Sequence, residues 1–149
     1  MMCKFFIAGA VALASMQAAI GQQQYGNAVE ARAMLERVIA GIKTDAAETI
    51  AQINKSDPKF SDRDLYPTCA GPDGKMVANP NPARLGIVQK DSKDASGKPY
   101  GEELAKAQEG VFSEVSYLSP HPGADKTPVQ KIAFVTKVSG YICLVGYAP

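Results

Sequence analysis

The spacing of apolar residues changes along the chain, and each change marks an element. From Asn27 to Asn54, Leu35, Ile39, Ile42, Ala46, Ile50 and Ile53 recur every three or four residues, while Glu36, Arg37, Lys43, Glu48 and Gln52 fall elsewhere. That is one buried stripe of an amphipathic α-helix. Asn27, with Glu30 three residues on, predicts a capping box at its start, and Gly41 inside is tolerated at about 1 kcal/mol. A helix of this length covers more than a small sheet needs, so its first half is expected to project or to pair with a partner. Ser56-Asp57-Pro58 closes it and opens a second, shorter helix, with Asp57 as N-cap, Pro58 in the first turn, and Phe60 and Leu65 as anchors.

Beyond Asp64 the period falls to two. Gly71-Pro72-Asp73-Gly74 concentrates turn formers, so two short strands flank it as a hairpin. Pro80 and Pro82 cannot donate to a ladder, and Asn79-Pro80-Asn81-Pro82 is expected to leave the sheet as a stiff loop displaying two amides. The polar run from Lys90 to Lys98 is a surface loop, and Tyr100, Leu104 and Ala107 predict a third helix from Pro99 to Glu109, stopped by Gly110. Three strands finish the chain, marked by Val111, Val115 and Tyr117, then by Ile132, Phe134, Thr136 and Val138, then by Tyr141, Cys143, Val145 and Tyr147. Ser139-Gly140 fits a two-residue hairpin turn, which pairs Phe134 with Val145 and Thr136 with Cys143 on one face. The long loop from Ser119 to Pro128 carries three prolines and His121.

The N-terminus follows a different logic. Lys4 precedes the short apolar run Phe5 to Ala14, and Ala19-Ile20-Gly21 supplies small residues for cleavage, so residues 1–21 read as a secretory signal peptide and residues 22–149 as one domain. The competing reading is an uncleaved anchor. The whole chain has sixteen basic and fifteen acidic residues, and losing Lys4 with the signal leaves a neutral protein. Neutrality argues against nucleic acid, which selects for a basic patch. A periplasmic or secreted location follows, and with it an oxidising compartment in which Cys69 and Cys143 remain as an even pair. A disulfide is the economical reading; two buried free thiols are the alternative.

Catalysis finds no support. No serine sits in a Gly-x-Ser-x-Gly elbow, no Walker or dinucleotide motif is present, and Gly71 and Gly74 belong to a hairpin turn. A single histidine and no paired ligands argue against a metal site, and His121 reads as a loop residue. Tyr66, Tyr117, Tyr141 and Tyr147 lie on strands, where a tyrosine lines either core or pocket. Lys131 stands apart from other charges and suits a carboxylate; a snorkelling surface lysine is its bland alternative. Asp62-Arg63-Asp64 reads as a solvated helix end.

The order of these elements carries a resemblance. A long helix, a short helix, Asp64-Leu65-Tyr66, the Asp73-Gly74 hairpin, the Asn79-Pro80 loop with Gly86, a helix-bearing insertion, then Glu114 to Tyr117, Lys131 to Val135 and a last strand ending at Tyr147, together resemble a single Cache domain. That resemblance implies an α+β, PAS-like fold: the long N-terminal helix packed on a central antiparallel sheet of about five strands, with the first and last strands adjacent so that Cys69 can reach Cys143. It also implies an extracytoplasmic, sensor-type module that binds a small molecule, an organic acid for choice, with no cofactor. Tyr66, Asn79, Tyr117, Lys131 and Phe134 are the positions that match pocket-bearing motifs. Where relatives often place a histidine before the loop proline, this chain has the uncharged Asn79. The expectation is a stand-alone module without its own output domain, its partner a membrane receptor or kinase, with a homodimer through the N-terminal helix as a further expectation. The rival reading is a structural or protein-interaction module that uses the long helix and takes no small ligand.

Overall fold

The computed structural model describes residues 23–149. The signal-peptide expectation, on residues 1–21, lies outside the described residues. Helix α1 spans Ala28–Asn54 and opens with the capping box: Glu30 N–H donates to Asn27 Oδ1 at 3.0 Å, and Asn27 N–H to Glu30 Oε2 at 2.9 Å. The helix is broken at Asp45, whose backbone leaves the helical region at φ −156° and ψ 96°. Asp45 then caps the second half, its Oδ1 accepting from Glu48 N–H at 3.0 Å. The elbow folds Thr49 against Gly41 so closely that a Cβ on residue 41 would lie 2.5 Å from the threonine Oγ1. Periodicity alone predicted an unbroken helix, yet the Asp-x-x-Glu spacing of Asp45 and Glu48 is itself a helix-start signal.

Both halves of α1 lie on the protein. Ala31, Met34, Leu35, Val38, Ile42 and Ile53 are buried, so the first half packs on the sheet rather than projecting from it. Asp57 caps the short helical turn Pro58–Phe60 as expected, accepting from Lys59 N–H at 2.9 Å.

Five strands form one antiparallel sheet: β1 (Pro67–Ala70), β2 (Met76–Ala78), β3 (Ser113–Ser119), β4 (Val129–Val138) and β5 (Tyr141–Tyr147), in the order β2-β1-β5-β4-β3. The β4–β5 register follows the Ser139-Gly140 turn, with Phe134 opposite Val145 and Thr136 opposite Cys143. Ser139 and Gly140 take φ of 49° and 83°, the left-handed pair that a tight two-residue hairpin needs. First and last strands are neighbours. Cys69 stands directly opposite Cys143 with Cα atoms 4.1 Å apart, and their sulfurs are bonded.

The third helix is shorter than its sequence pattern suggests. Helix α2 covers only Tyr100–Leu104, because the chain from Ala107 peels away to bridge Glu109 to Lys137 beside β4. Gly101 presses on the backbone carbonyls of Gln89 and Lys90, where any side chain would collide. The segment from Asn79 to Leu104 is thereby clamped as a roof over the sheet face opposite α1.

Candidate functional site

Side chains alternate across a strand, so the sheet offers two faces of different composition. The face opposite α1 receives Thr68 from β1, Leu144 and Gly146 from β5, Lys131, Ala133 and Val135 from β4, and Val115 and Tyr117 from β3. Between this face and the roof lies a cavity of about 400 Å³. Tyr66, Asn79, Tyr117 and Lys131 all line it. Phe134 does not.

Lys131 is the cavity's central feature. It lies opposite Tyr117 in the β3–β4 register and is only 3% exposed, and among the described residues its ammonium has neither a hydrogen-bond nor an ion-pair partner. Burial pushes its pKa down from the ordinary lysine value, and the field of Asp64 pulls it part of the way back. Tyr117 lies with its hydroxyl over Gly146, a position that any larger residue there would deny it, and stacks on Tyr100 with ring centroids 4.9 Å apart. Its phenol is pushed well above the usual tyrosine range by burial and by Tyr66 and Tyr100. Burial raises the Tyr66 phenol too. These hydroxyls stay protonated through the neutral range and can donate to an anion.

The roof is braced by its own polar groups. Asn79 N–H donates to Asn54 Oδ1 at 2.8 Å, Asn79 Oδ1 accepts from Asn81 N–H at 2.9 Å, and Asn79 Nδ2 donates to Thr68 Oγ1 at 3.3 Å. The Asn79 acceptor is therefore committed to the loop, and one amide hydrogen is left over. Asn81 caps the turn Pro82–Arg84 by accepting from Ala83 N–H at 3.1 Å, and the chain returns along β2 through Gly86 N–H to the Met76 carbonyl at 2.8 Å. That return brings Arg84 into the cavity lining. Asp94 also lines it, but its carboxylate is consumed: Oδ1 accepts from Ser96 N–H, the Ser96 hydroxyl and Lys98 N–H, and Oδ2 from Leu118 N–H. Those bonds, the Ser96 hydroxyl foremost, hold its pKa down at about 2.

Phe134 corrects one sequence expectation. It lies three residues from Lys131, an odd separation, so alternation sends it to the α1 face, where it stacks on Tyr147 at 5.6 Å. Tyr141 and Tyr147 pack on that face as well. Asp64, expected in a solvated cluster, is buried and accepts from Gly26 N–H at 2.7 Å. His121 Nδ1 lies 3.2 Å from Asp64 Oδ2, and its ring stacks on Tyr25 at 3.8 Å, which ties the 119–128 loop to the segment before α1. Arg63 pairs with Glu30 at 2.7 Å and Asp62 at 2.8 Å, holding the same segment from the other side. Arg84, Gln89, Ser92, Lys93 and Tyr100 are among the lining residues that sequence reasoning missed; the Asn81 cap and Gly86 were the signals that the loop doubles back.

Known proteins agree with this architecture. Three solved structures share the fold: a periplasmic sensor domain of a chemotaxis protein (TM-score 0.58, 23% identity, covering 80% of this chain and 88% of that one); a methyl-accepting chemotaxis protein from Vibrio parahaemolyticus RIMD 2210633 (TM-score 0.63, 14% identity, 80% and 86%); and a Cache chemosensory domain described for its recognition of carboxylic acids (TM-score 0.57, 21% identity, 80% and 86%). Comparison with curated proteins finds no match. The model of the family single Cache domain 2 matches residues 16–148, nearly the whole chain. The chain therefore belongs to the single Cache domain family, a family of ligand-sensing modules.

Proposed function

We propose that this chain is an extracytoplasmic receptor module that binds a small organic acid between the sheet and the roof. The observation that carries the reading is the Lys131 ammonium, buried at the cavity wall with no partner among the described residues. An uncompensated buried charge is costly, and proteins keep one where a ligand neutralises it. A carboxylate at Lys131 gains a charge-assisted bond and finds Tyr117 and Tyr66 hydroxyls for its remaining lone pairs. The solved Cache domain described for carboxylic acid recognition supports the same ligand class. No helix among the described residues is long and apolar enough to cross a membrane. We take residues 1–21 as the export signal and residues 22–149 as the domain that works outside the cytoplasm, passing its bound state to a receptor or kinase.

A thermal-shift screen of the purified protein against acetate, propionate, butyrate, simple amines and purines tests the reading. Acids alone should raise Tm. No shift from any compound, together with a concentration-dependent dimer, would favour instead an interaction module working through α1.

A further inference from the structure

The cavity holds a second unpaired cation. Arg84, at the end of the Pro82–Arg84 turn, lines the same cavity as Lys131 from the roof side, half-buried and without a hydrogen-bond or ion-pair partner among the described residues. Lys131 is on the floor, on β4. The one carboxylate in the lining, Asp94, is saturated by Ser96, Lys98 and Leu118 and has no capacity left for either cation. The lining therefore carries three cations, Lys131, Arg84 and the exposed Lys93, against one ionised carboxylate whose hydrogen-bonding positions are already filled.

Resting on the organic-acid reading, we propose that the ligand is a dicarboxylate, with one carboxylate on Lys131 and the second on Arg84. Two further features fit a two-ended polar ligand better than a short monoacid. At about 400 Å³ the cavity is in the range of sites for whole small molecules rather than a two- or three-carbon fragment. Its lining also holds Gln89 Nε2 and Ser92 Oγ, buried polar atoms without a partner among the described residues, which a purely apolar tail would leave unpaired. The two cations have different duties. Buried Lys131 is little screened by salt and anchors any acid; Arg84 is nearer solvent, binds the second carboxylate with its planar fork, and is sensitive to ionic strength.

The test is calorimetric titration of the purified protein with propionate and butyrate against malonate, succinate and glutarate, in wild type and in Arg84→Gln. The best dicarboxylate should bind at least about tenfold more tightly than the monoacids. Arg84→Gln should remove that advantage while leaving monoacid affinity unchanged, and Arg84→Lys should restore part of it. Raising salt should weaken dicarboxylate binding in wild type more than in Arg84→Gln. An unchanged Tm in the unliganded variant shows that the turn still folds. Monoacids binding as tightly as dicarboxylates, or Arg84→Gln weakening both classes equally, would overturn the dicarboxylate assignment and leave the acid reading in place. Failure of every acid to bind the wild type would overturn both.

Discussion

Alternate residues of the same strands build two faces that differ in almost every physical respect. On the α1 face, Cys69, Cys143, Val145 and Val138 pack against Met34, Leu35, Val38 and Ile42, all nearly inaccessible. On the other face the same β4 and β5 strands present Lys131, Gly146 and Leu144 to a cavity roofed by a loop-rich segment. One face repays the chain entropy of folding with dry apolar contact. The other has a smaller apolar cluster of Leu104, Val115, Ala133, Val135 and Leu144, on which Tyr100 and Tyr117 pack, and beside it keeps a charge and empty volume that do not help the fold to stand. Because a strand separates its two sets of side chains so cleanly, stability and binding should be separable by substitution.

The largest effect should come from the helix face. The disulfide closes a loop across a sequence separation of 74, for which the chain-entropy model gives about 4 kcal/mol. Cys69→Ala with Cys143→Ala should lower the unfolding free energy by that order, read by urea denaturation, and leave acid affinity within about twofold of wild type, since neither sulfur reaches the cavity. Phe134→Ala comes next. Its ring is only partly buried, so about 2 kcal/mol is expected rather than the larger cost of a fully enclosed aromatic. Acid binding measured by calorimetry should not change. A loss of affinity in Phe134→Ala would mean that the two faces communicate, and the separation argued above would fail.

The cavity face should show the opposite sign. Lys131→Met removes an uncompensated buried ammonium and should stabilise the unliganded protein by about 1 kcal/mol, some 3 to 6 °C in Tm, while costing acid binding about 1.5 to 3 kcal/mol. The pH dependence gives the same contrast. Burial lowers the folded-state pKa of Lys131 beneath its ordinary 10.5, so between those two values the unfolded chain holds the extra proton and stability rises with pH. The Tyr66 and Tyr117 phenols are raised above their ordinary 10.0, so once pH passes that value the unfolded chain has lost protons the folded one keeps, and stability falls. Denaturation midpoints of wild type should therefore climb through the alkaline range and turn down above about pH 10. Lys131→Met should lack the climb and retain the fall.

These two faces were not equally legible in the sequence. The helix face could be read because it rests on local rules: the Ser139-Gly140 turn sets the β4–β5 register, and that register puts Thr136 opposite Cys143. The capping box at Asn27 and the Asp57 cap were likewise local. The cavity depends on how a long, irregular segment folds back over the sheet, which periodicity does not report. Arg84 was out of sight for that reason, and Asn79 was visible as a loop residue but not as the brace it forms with Asn54 and Thr68. Phe134 is a different failure. Its odd separation from Lys131 excluded a shared face by strand geometry alone, so the information was present and unused. The break at Asp45 is similar, since Asp45 and Glu48 carry the cap spacing inside an otherwise continuous apolar stripe.

The smallest predicted effect lies at the edge where the two faces meet the chain's N-terminal lead. His121 reaches Asp64 at 3.2 Å and stacks on Tyr25, while the other oxygen of Asp64 holds the Gly26 amide. The His121 side chain is 20% exposed and that of Asp64 4%, so the contact lies between a surface pair and a buried one. Surface ion pairs are worth up to about 1 kcal/mol, and the stack adds a comparable amount only where water is excluded. His121→Ala should therefore cost about 1 kcal/mol or less, because Asp64 keeps its bond to Gly26 and is not left orphaned. The local consequence should exceed the global one: hydrogen exchange at Gly26 and Asn27, and along residues 119–128, should quicken, while exchange in β1 and β5 stays as slow as in wild type. Accelerated exchange across β1 and β5 as well would show that the tie supports the core, and the boundary between the stability face and its periphery would have to be redrawn to include His121.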